Sequence, residues 1–376
     1  MKDNRGKIDN NLAAHRRKRG FSAAALAALA GVSRQTIYAI EAGSYVPNTA
    51  VALRLARLLE AGVEDLFSLG AEAPAAPLGA AHATLLPGSA APRAGEPVQL
   101  CRVDRRLIAS IPSPVPWFLP TADALVAGPP GRRGQAAVEL FQPEGDFSRG
   151  ILIAGCDPGI SVLARHVQRA GVELVAAQRN SSQALALLKQ GVIHVAGTHL
   201  RDEGGESNLP AIRRLFARNS VAVVSLAVWE EGIVVAAGNP KSIRSVADFA
   251  RPDVTIVNRE AAAGSRLLLD AHLHRLGIAA ADVRGYRNTA GGHLAAAWRV
   301  HSGAADACLA TRAAARVFGL GFVGLVSQRY DLAIRRAHLD RAPIQALLDT
   351  LNRAAFRREL EGLGGYDTTS AGQRLL

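Results

Sequence analysis

The spacing of apolar and polar positions divides the chain into three zones. Up to about Gly70, apolar residues recur at three- and four-residue intervals in short bursts, the spacing of small helices in quick succession. From Ala71 to Pro97 the string AEAPAAPLGAAHATLLPGSAAPRAGEP keeps no period and is broken by Pro and Gly, which predicts a semi-extended linker over 70–97. The remainder alternates strand-like and helix-like segments. At its start VQLCRVDRRLIASI (98–111) alternates apolar with polar, and WFLPTADALV and AAVELF repeat the tendency, predicting a small β-rich element over 98–145. From Gly150, ILIAGC, VELVAAQ and VIHVAGTHL alternate with the amphipathic SVLARHVQRAG and SSQALALLKQG, so 146–376 reads as an α/β domain with a largely parallel sheet. No internal repeat is visible.

In the first zone Leu12, His15 and Arg16 begin one helix, Ser22 is placed to cap a second (AAALAALA), and Gly31 ends it. Ser33 caps the next, RQTIYAIE, which puts Ile37 and Ile40 on one face and leaves Arg34, Gln35, Thr36 and Tyr38 outward. That is a helix-turn-helix geometry over residues 1–69. A second helix presenting Arg and Gln near its N-terminus suits a major groove, where Arg matches guanine and Gln matches adenine.

The string GFSAAALAALAGVSRQTIYAIEAGSYVPNTAVALRLARLLEAGVEDLF resembles the Cro/repressor-like (XRE) helix-turn-helix family over its whole length. The resemblance implies binding to double-stranded DNA, with Ser33, Arg34, Gln35, Thr36 and Tyr38 at bases or sugars and Ser44 and Asn48 at phosphates. Glu41 would fix helix ends. The sequence departs from the family at Ala23, where a DNA-contacting Gln is usual.

In the α/β region, polar loops follow the strands: Cys156-Asp157-Pro158-Gly159, Arg179-Asn180-Ser181-Ser182 and Gly197-Thr198-His199. The first two lead directly into helices, whose N-termini offer unpaired N–H groups suited to an anion. Residues 146–376 resemble the type II periplasmic-binding-protein-like domain related to molybdate- and tungstate-binding proteins. The carrying segments are GCDPGISVLA, RNSSQALALLKQG, VAGTHLRD, WEEGIVVAAGNPKSI, VNREAAAGSRLLLD, HLAAAWRVHSGAADACLA and LGGYDTTSAG. The resemblance implies two lobes closing on a ligand, with Asp157, Asn180, Ser181, Ser182, Thr198, His199, Arg259, Ser265, Arg266, Tyr286 and His293 at the site. Ser181 and Ser182 serve equally well as helix caps. A carboxylate such as Asp157 repels an anion unless it is protonated, turned away or paired, so a hydroxylated or part-cationic ligand stays open.

Composition narrows the functional classes. Lys plus Arg total 44 against 32 Asp plus Glu, a formal charge of +12 in 376 residues that suits a polyanionic partner. The three cysteines, Cys101, Cys156 and Cys308, form no C-x-x-C pair, so no disulfide framework and no zinc site is expected, and His199 and His293 read as structural. Trp229 and Trp298 read as core, and Tyr330-Asp331 and Tyr366-Asp367 as turn and packing residues. The basic N-terminus lacks an apolar stretch after it, and no apolar run reaches membrane-span length, so a cytoplasmic protein without a membrane partner is expected. The absence of G-x-S-x-G, H-E-x-x-H and P-loop patterns argues against an enzyme, and no cofactor is expected. These features together predict a multidomain chain, an all-α bundle followed by an α/β two-lobed sensor. The expected function is a one-component transcription regulator, a homodimer responding to a small effector such as molybdate or tungstate. A ligand-binding protein without DNA affinity and a protein of molybdenum-cofactor metabolism are the alternatives.

Overall fold

The structure is a computed structural model that describes residues 8–69, 79–112, 119–131, 134–142, 147–200 and 208–376. It divides into two compact units, Met1–Leu78 and Gly79–Leu376.

The first unit runs β1 (Ile8–Asn10), α1 (Leu12–Lys18), α2 (Ala23–Ala30), α3 (Arg34–Glu41), α4 (Thr49–Leu59), α5 (Val63–Leu66) and β2 (Phe67–Leu69), with β1 and β2 paired antiparallel. Leu12, Leu26, Ile37, Ile40, Leu55, Leu59 and Leu66 form its core, none more than 1% exposed. Side chains define the helix starts: Ser22 Oγ accepts from Ala25 N, Ser33 Oγ from Thr36 N and Asn48 Oδ1 from Val51 N. Between α2 and α3 the chain turns through Gly31 at φ 68° and changes direction by 109°. Arg16 clamps Glu41 with two hydrogen bonds of 2.6 and 3.1 Å, tying α1 to the end of α3.

The second unit opens with β3 (Ala80–Leu85), β4 (Pro97–Val103), β5 (Arg106–Ser110), β6 (Ala124–Val126) and β7 (Gln135–Leu140), closed into a barrel in the order β3-β5-β4-β6-β7. This corrects the predicted linker: residues 70–78 lie outside the described residues, but 80–85 are a strand paired with both β5 and β7. Alanine-rich AAHATL has weak strand preference by itself, and it pairs because small residues such as the fully buried Ala83 fit inside a narrow barrel. The β element therefore begins at 80 rather than 98 and ends at 140. It is also no separate body. Val98, Leu100 and Ala109 fill the barrel, whereas Leu86, Cys101, Val103 and Ile108 turn outward into a core shared with Leu152, Val175, Leu185 and Ile193. Arg106 hydrogen-bonds the Gly191 carbonyl, and His338 Nε2 meets Asp104 at 2.9 Å across the same junction.

Next come β8 (Ile151–Gly155), α6 (Ile160–Gln168), β9 (Leu174–Gln178), α7 (Ser181–Gln190), β10 (Val195–Thr198), α8 (Leu209–Leu215) and β11 (Val221–Val235). They are followed by β12 (Asn258–Arg259), α9 (Gly264–Leu276), β13 (Thr289–Ala290), α10 (His293–His301), β14 (Ala307–Thr311) and α11 (Arg312–Val317). The chain closes with β15 (Gly321–Arg335), α12 (Ala342–Leu351), α13 (Ala354–Gly362) and β16 (Tyr366–Asp367). Seven strands form one sheet, β14-β11-β15-β10-β8-β9, with β16 beside β11.

Only β9, β8 and β10 run parallel; β15 is antiparallel to β10 and β11, and β14 to β11, so the sheet is mixed rather than largely parallel. The reason is that β11 and β15, 15 residues each, leave the first lobe and return to it. The first lobe packs α6, α7, α12 and α13 on β8–β10. The second, built from β12–β14 and α9–α11, has its own cores around Phe249, Ile256 and Leu269 and around Ala296, Val300 and Cys308. Among the described residues no single helix is long and apolar enough to cross a membrane.

Because the barrel and first lobe share a core, Ile108→Ala is expected to cost about 2–5 kcal/mol and to destabilise β8 and β9 along with the barrel. Hydrogen exchange at the amides of 151–155 and 174–178, with a urea midpoint, measures this; protection lost in the barrel alone would show two independent bodies.

Candidate functional site

The two lobes meet along a closed seam. Cys156 and Asp157 leave the end of β8, Asn180 and Ser181 start α7, and Thr198 and His199 end β10, all from the first lobe. Arg259 on β12, Ser265 in α9 and His293 at the first turn of α10 face them from the second. Each of these residues is no more than 4% exposed. Asn180 Nδ2 donates across the seam to the Ala261 carbonyl at 3.5 Å, and a Cβ on Gly264 would sit 2.4 Å from His199 Cε1. Helix α9 therefore starts directly against the His199 ring, which only glycine at that position permits.

The crossing strands complete the seam. Trp229 and Glu231 come from β11, Gln328 and Tyr330 from β15, and the rings of His199, Trp229, His293 and Tyr330 pack with centroids 4.9–5.9 Å apart. A Cβ on Gly155 or Gly197 would lie 2.4 or 2.2 Å from Tyr330 Oη, so the phenol wedges between the ends of β8 and β10. There it accepts from Cys156 N at 3.2 Å.

Several buried polar atoms here lack a hydrogen-bond partner among the described residues: Trp229 Nε1, Arg259 Nη1, Ser265 Oγ, both nitrogens of His293, Asp157 Oδ2 and Glu231 Oε1. Such atoms are costly inside a protein, about 1–3 kcal/mol each, and their concentration in one seam marks a place where partners come from outside the chain. Most are donors. Arg259 keeps its charge against burial through two 3.0 Å hydrogen bonds to Glu260. Burial holds His293 well below the usual histidine range, with Arg259 and His199 adding to the effect, and lowers His199 likewise. Burial pushes the Cys156 thiol up to about 12. Asp157 is pushed up to about 6 by burial, opposed by hydrogen bonds from Tyr366 Oη and Gly159 N, each 2.6 Å from Oδ1.

Other residues singled out in the sequence stand elsewhere. Ser182 is exposed and lines a groove with Leu185, Lys189 and Arg214, because it follows Ser181 by one helical step and so faces outward. Arg266 pairs with Asp270 at 3.1 Å and lies 4.0 Å over the Tyr286 ring, whose hydroxyl also donates to Asp270. Gly264, Leu267, Leu268 and Ala271 turn toward His199 and Gln328, which puts Arg266 and Asp270 on the opposite face of α9. Arg266 and Tyr286 are thus engaged away from the seam. Thr198 is buried, but its hydroxyl donates to Asn208 Oδ1 at 3.0 Å, in a network that reaches Asp331. Asn180 is the N-cap of α7, and Ser181 Oγ accepts from His199 N.

Trp229, Glu231, Gln328 and Tyr330 are missing from the sequence-based site because each lies inside a 15-residue strand and not in a strand-to-helix loop, where the sequence points to ligand contacts. Tyr330 and Asp331 are fully buried strand residues rather than turn residues, and Trp298 is half-buried, its ring 5.2 Å from His301.

In the helical unit, Arg34, Gln35 and Tyr38 are exposed on α3, with Ser44 and Asn48 exposed on the loop that follows. Arg34 Nη2 donates to Tyr38 Oη at 3.0 Å, Thr36 Oγ1 meets Ser33 Oγ at 2.8 Å, and Ser44 Oγ donates to the Ala39 carbonyl. These bonds pre-position polar groups on one surface of α3 and its flanks.

Comparison with known proteins gives two family matches: a helix-turn-helix domain over residues 11–68 and a PBP superfamily domain over 164–352. YvgK, an uncharacterised protein of Bacillus subtilis, is 31% identical over 244 residues, covering 64% of this chain and 79% of that protein. An uncharacterised HTH-type transcriptional regulator of Methanothermobacter thermautotrophicus is 45% identical over 56 residues, 15% of this chain and 81% of its own. Among solved structures, the sulfate-binding protein SubI from Mycobacterium tuberculosis aligns with 16% identity and a TM-score of 0.44, covering 58% of this chain and 86% of that one.

Removing an unpartnered hydroxyl relieves a buried polar cost, so Ser265→Ala is expected to raise stability without ligand by about 1 kcal/mol. Denaturant midpoints of the two proteins measure it; a clear loss of stability would mean that Ser265 Oγ already has a partner.

Proposed function

Since this chain belongs to the PBP superfamily and carries a helix-turn-helix domain ahead of the matched segment, we propose that it is a one-component, ligand-responsive transcription regulator. The helical unit binds double-stranded DNA, and the two-lobed domain takes a small effector in its seam. The observation that carries the reading is the set of buried, partnerless donors: Trp229 Nε1, Arg259 Nη1, Ser265 Oγ and an N–H of His293. Together they suit an anion, with the Arg259 guanidinium providing the charge-assisted bond. The effector we assign is a tetrahedral oxyanion of the molybdate and tungstate class.

A second reading is favoured by Asp157 Oδ2 and Glu231 Oε1, partnerless carboxylate oxygens in the seam. They suit a ligand that brings its own hydroxyl hydrogens, such as a hydroxylated organic anion.

Regulation requires that the ligand bind one conformational state better than the other, since equal affinity shifts nothing. Lobe closure is that difference, because donors on the second lobe and groups on the first reach a ligand together only when the seam is shut. Helix-turn-helix proteins read two half-sites through symmetric pairs, so we take the regulator to be a homodimer.

Thermal-shift titration against molybdate, tungstate, sulfate and phosphate tests the effector. Ligand at a hundred times its Kd stabilises the native state by about 2.7 kcal/mol, and Arg259→Gln should abolish the shift. A wild type that responds to none of the four, yet does respond to hydroxylated organic anions, moves the assignment to the second reading. For the DNA arm, an operator is selected from a random duplex pool. Arg34→Ala and Gln35→Ala are each expected to weaken it by about 1–3 kcal/mol and to relax sequence preference. Unchanged footprints in both variants would remove α3 as the reading helix.

A further inference from the structure

The seam gathers a second kind of chemistry, one that the proposed anion does not use. Cys156, His199 and His293, all buried, bring their ligand atoms within 4.8 Å of one another. Tetrahedral zinc, with bonds near 2.3 Å to sulfur and 2.0–2.1 Å to nitrogen, spaces its ligands about 3.5 Å apart, so small side-chain movements close the set. No spacing rule detects it, because Cys156 and His199 directly follow β8 and β10 while His293 opens α10, and the three meet only when the lobes close.

Three further features point to a ligand. His293 has no hydrogen-bond partner on either nitrogen, although it is only 1% exposed. A neutral imidazole carries one N–H and one lone pair; an anion takes the first and leaves the second open. Next, the state of His199 is fixed by its neighbours. Gln328 Nε2 donates to Glu231 Oε2 at 3.0 Å, because a carboxylate only accepts; Gln328 Oε1 therefore faces His199 Nδ1, at 3.1 Å, as an acceptor. Nδ1 carries the proton and Nε2 the lone pair, the outer-shell arrangement that holds metal-ligating histidines in orientation. Finally, the charge balance tolerates a cation. Arg259 is paired with Glu260 at 3.0 Å, and the buried Glu231 carboxylate lies behind His199, joined to it through Gln328.

We propose that Cys156, His199 and His293 bind a thiophilic transition-metal ion, Zn²⁺ or Cu⁺, that links the two lobes. Binding breaks the Cys156 S–H bond, releases that proton to solvent and forms a metal–sulfur bond, with no change in oxidation state. Thiolate and imidazole are the donors these ions select. Since His293 belongs to the second lobe and the other two to the first, the ion holds the seam shut. The proposal rests on the seam being the effector site but uses different atoms from those assigned to the oxyanion.

The test uses the metal-depleted full-length protein titrated with Co²⁺ as a spectroscopic probe and with Zn²⁺ in competition with a chromophoric chelator. One equivalent should bind and produce a thiolate-to-cobalt charge-transfer band that disappears in Cys156→Ser. Loss of an outer-shell partner already weakens metal sites 10–100-fold, so His293→Gln should lower Zn²⁺ affinity at least about 100-fold. No charge-transfer band in the wild type overturns the proposal, and this readout needs no variant to fold. A band retained in Cys156→Ser also overturns it, by placing the metal elsewhere. Molybdate is titrated in parallel into the metal-free protein. A molybdate shift without a cobalt band removes the metal site and leaves the oxyanion reading, whereas a cobalt band with no molybdate shift does the reverse.

Discussion

The two-lobed unit depends on the backbone pairing of β11 with β15. The ladder runs from Val221 opposite Arg335 to Val235 opposite Gly321, so the two strands that leave the first lobe are also the strands around which the second is built. Its register shifts between Glu231 and Gly232, where Gly232 faces Gly324. A Cβ at Gly232 would meet the Val323 carbonyl oxygen at 2.1 Å, so close approach of the strands requires glycine there. Bending concentrates at such a bulge. Trp229, Glu231, Gln328 and Tyr330 lie at or near it, which is why seam and crossing coincide.

A seam that buries this many unsatisfied polar groups is poorly suited to stability alone. Each group would be better hydrated if the lobes parted, so without a ligand the closed form carries a cost that a ligand removes. That cost makes the domain responsive: a ligand that satisfies donors on both lobes favours the closed state over the open one by the bonds it adds. The aromatic cluster of His199, Trp229, His293 and Tyr330 opposes the penalty by burying apolar surface in the same place.

The barrel changes which parts can move. It shares a core with the first lobe and is bonded to it through Arg106 and through Asp104 with His338. Covalently, the second lobe is joined to this body through β11 and β15. The helical unit precedes the barrel in the chain, so motion of the second lobe is motion relative to the body that follows the DNA-binding unit. Of the segment read as a linker, Ala80–Leu85 is a barrel strand and belongs to the second unit.

The helical unit was legible from the sequence because its determinants are local. Ser22, Ser33 and Asn48 cap helices within three residues of themselves, Gly31 takes a left-handed turn, and Ile37 and Ile40 share a face by helical period. The alternation of strands and helices after Gly150 was equally local, as was the placement of Asp157, Ser181, His199, Ser265 and His293 in strand-to-helix loops or at helix starts. What the sequence could not determine is whatever requires pairing across long separations. The Ala80–Leu85 strand forms because a barrel closes on it, and the antiparallel course of β15 comes from its return out of the second lobe. Arg266 and Ser182 face away from the seam because one helical step rotates a side chain by about 100°. The meeting of Cys156, His199 and His293, and the unsatisfied donors beside them, exist only once the two lobes touch, since no local period brings the residues that follow β8 and β10 together with the start of α10.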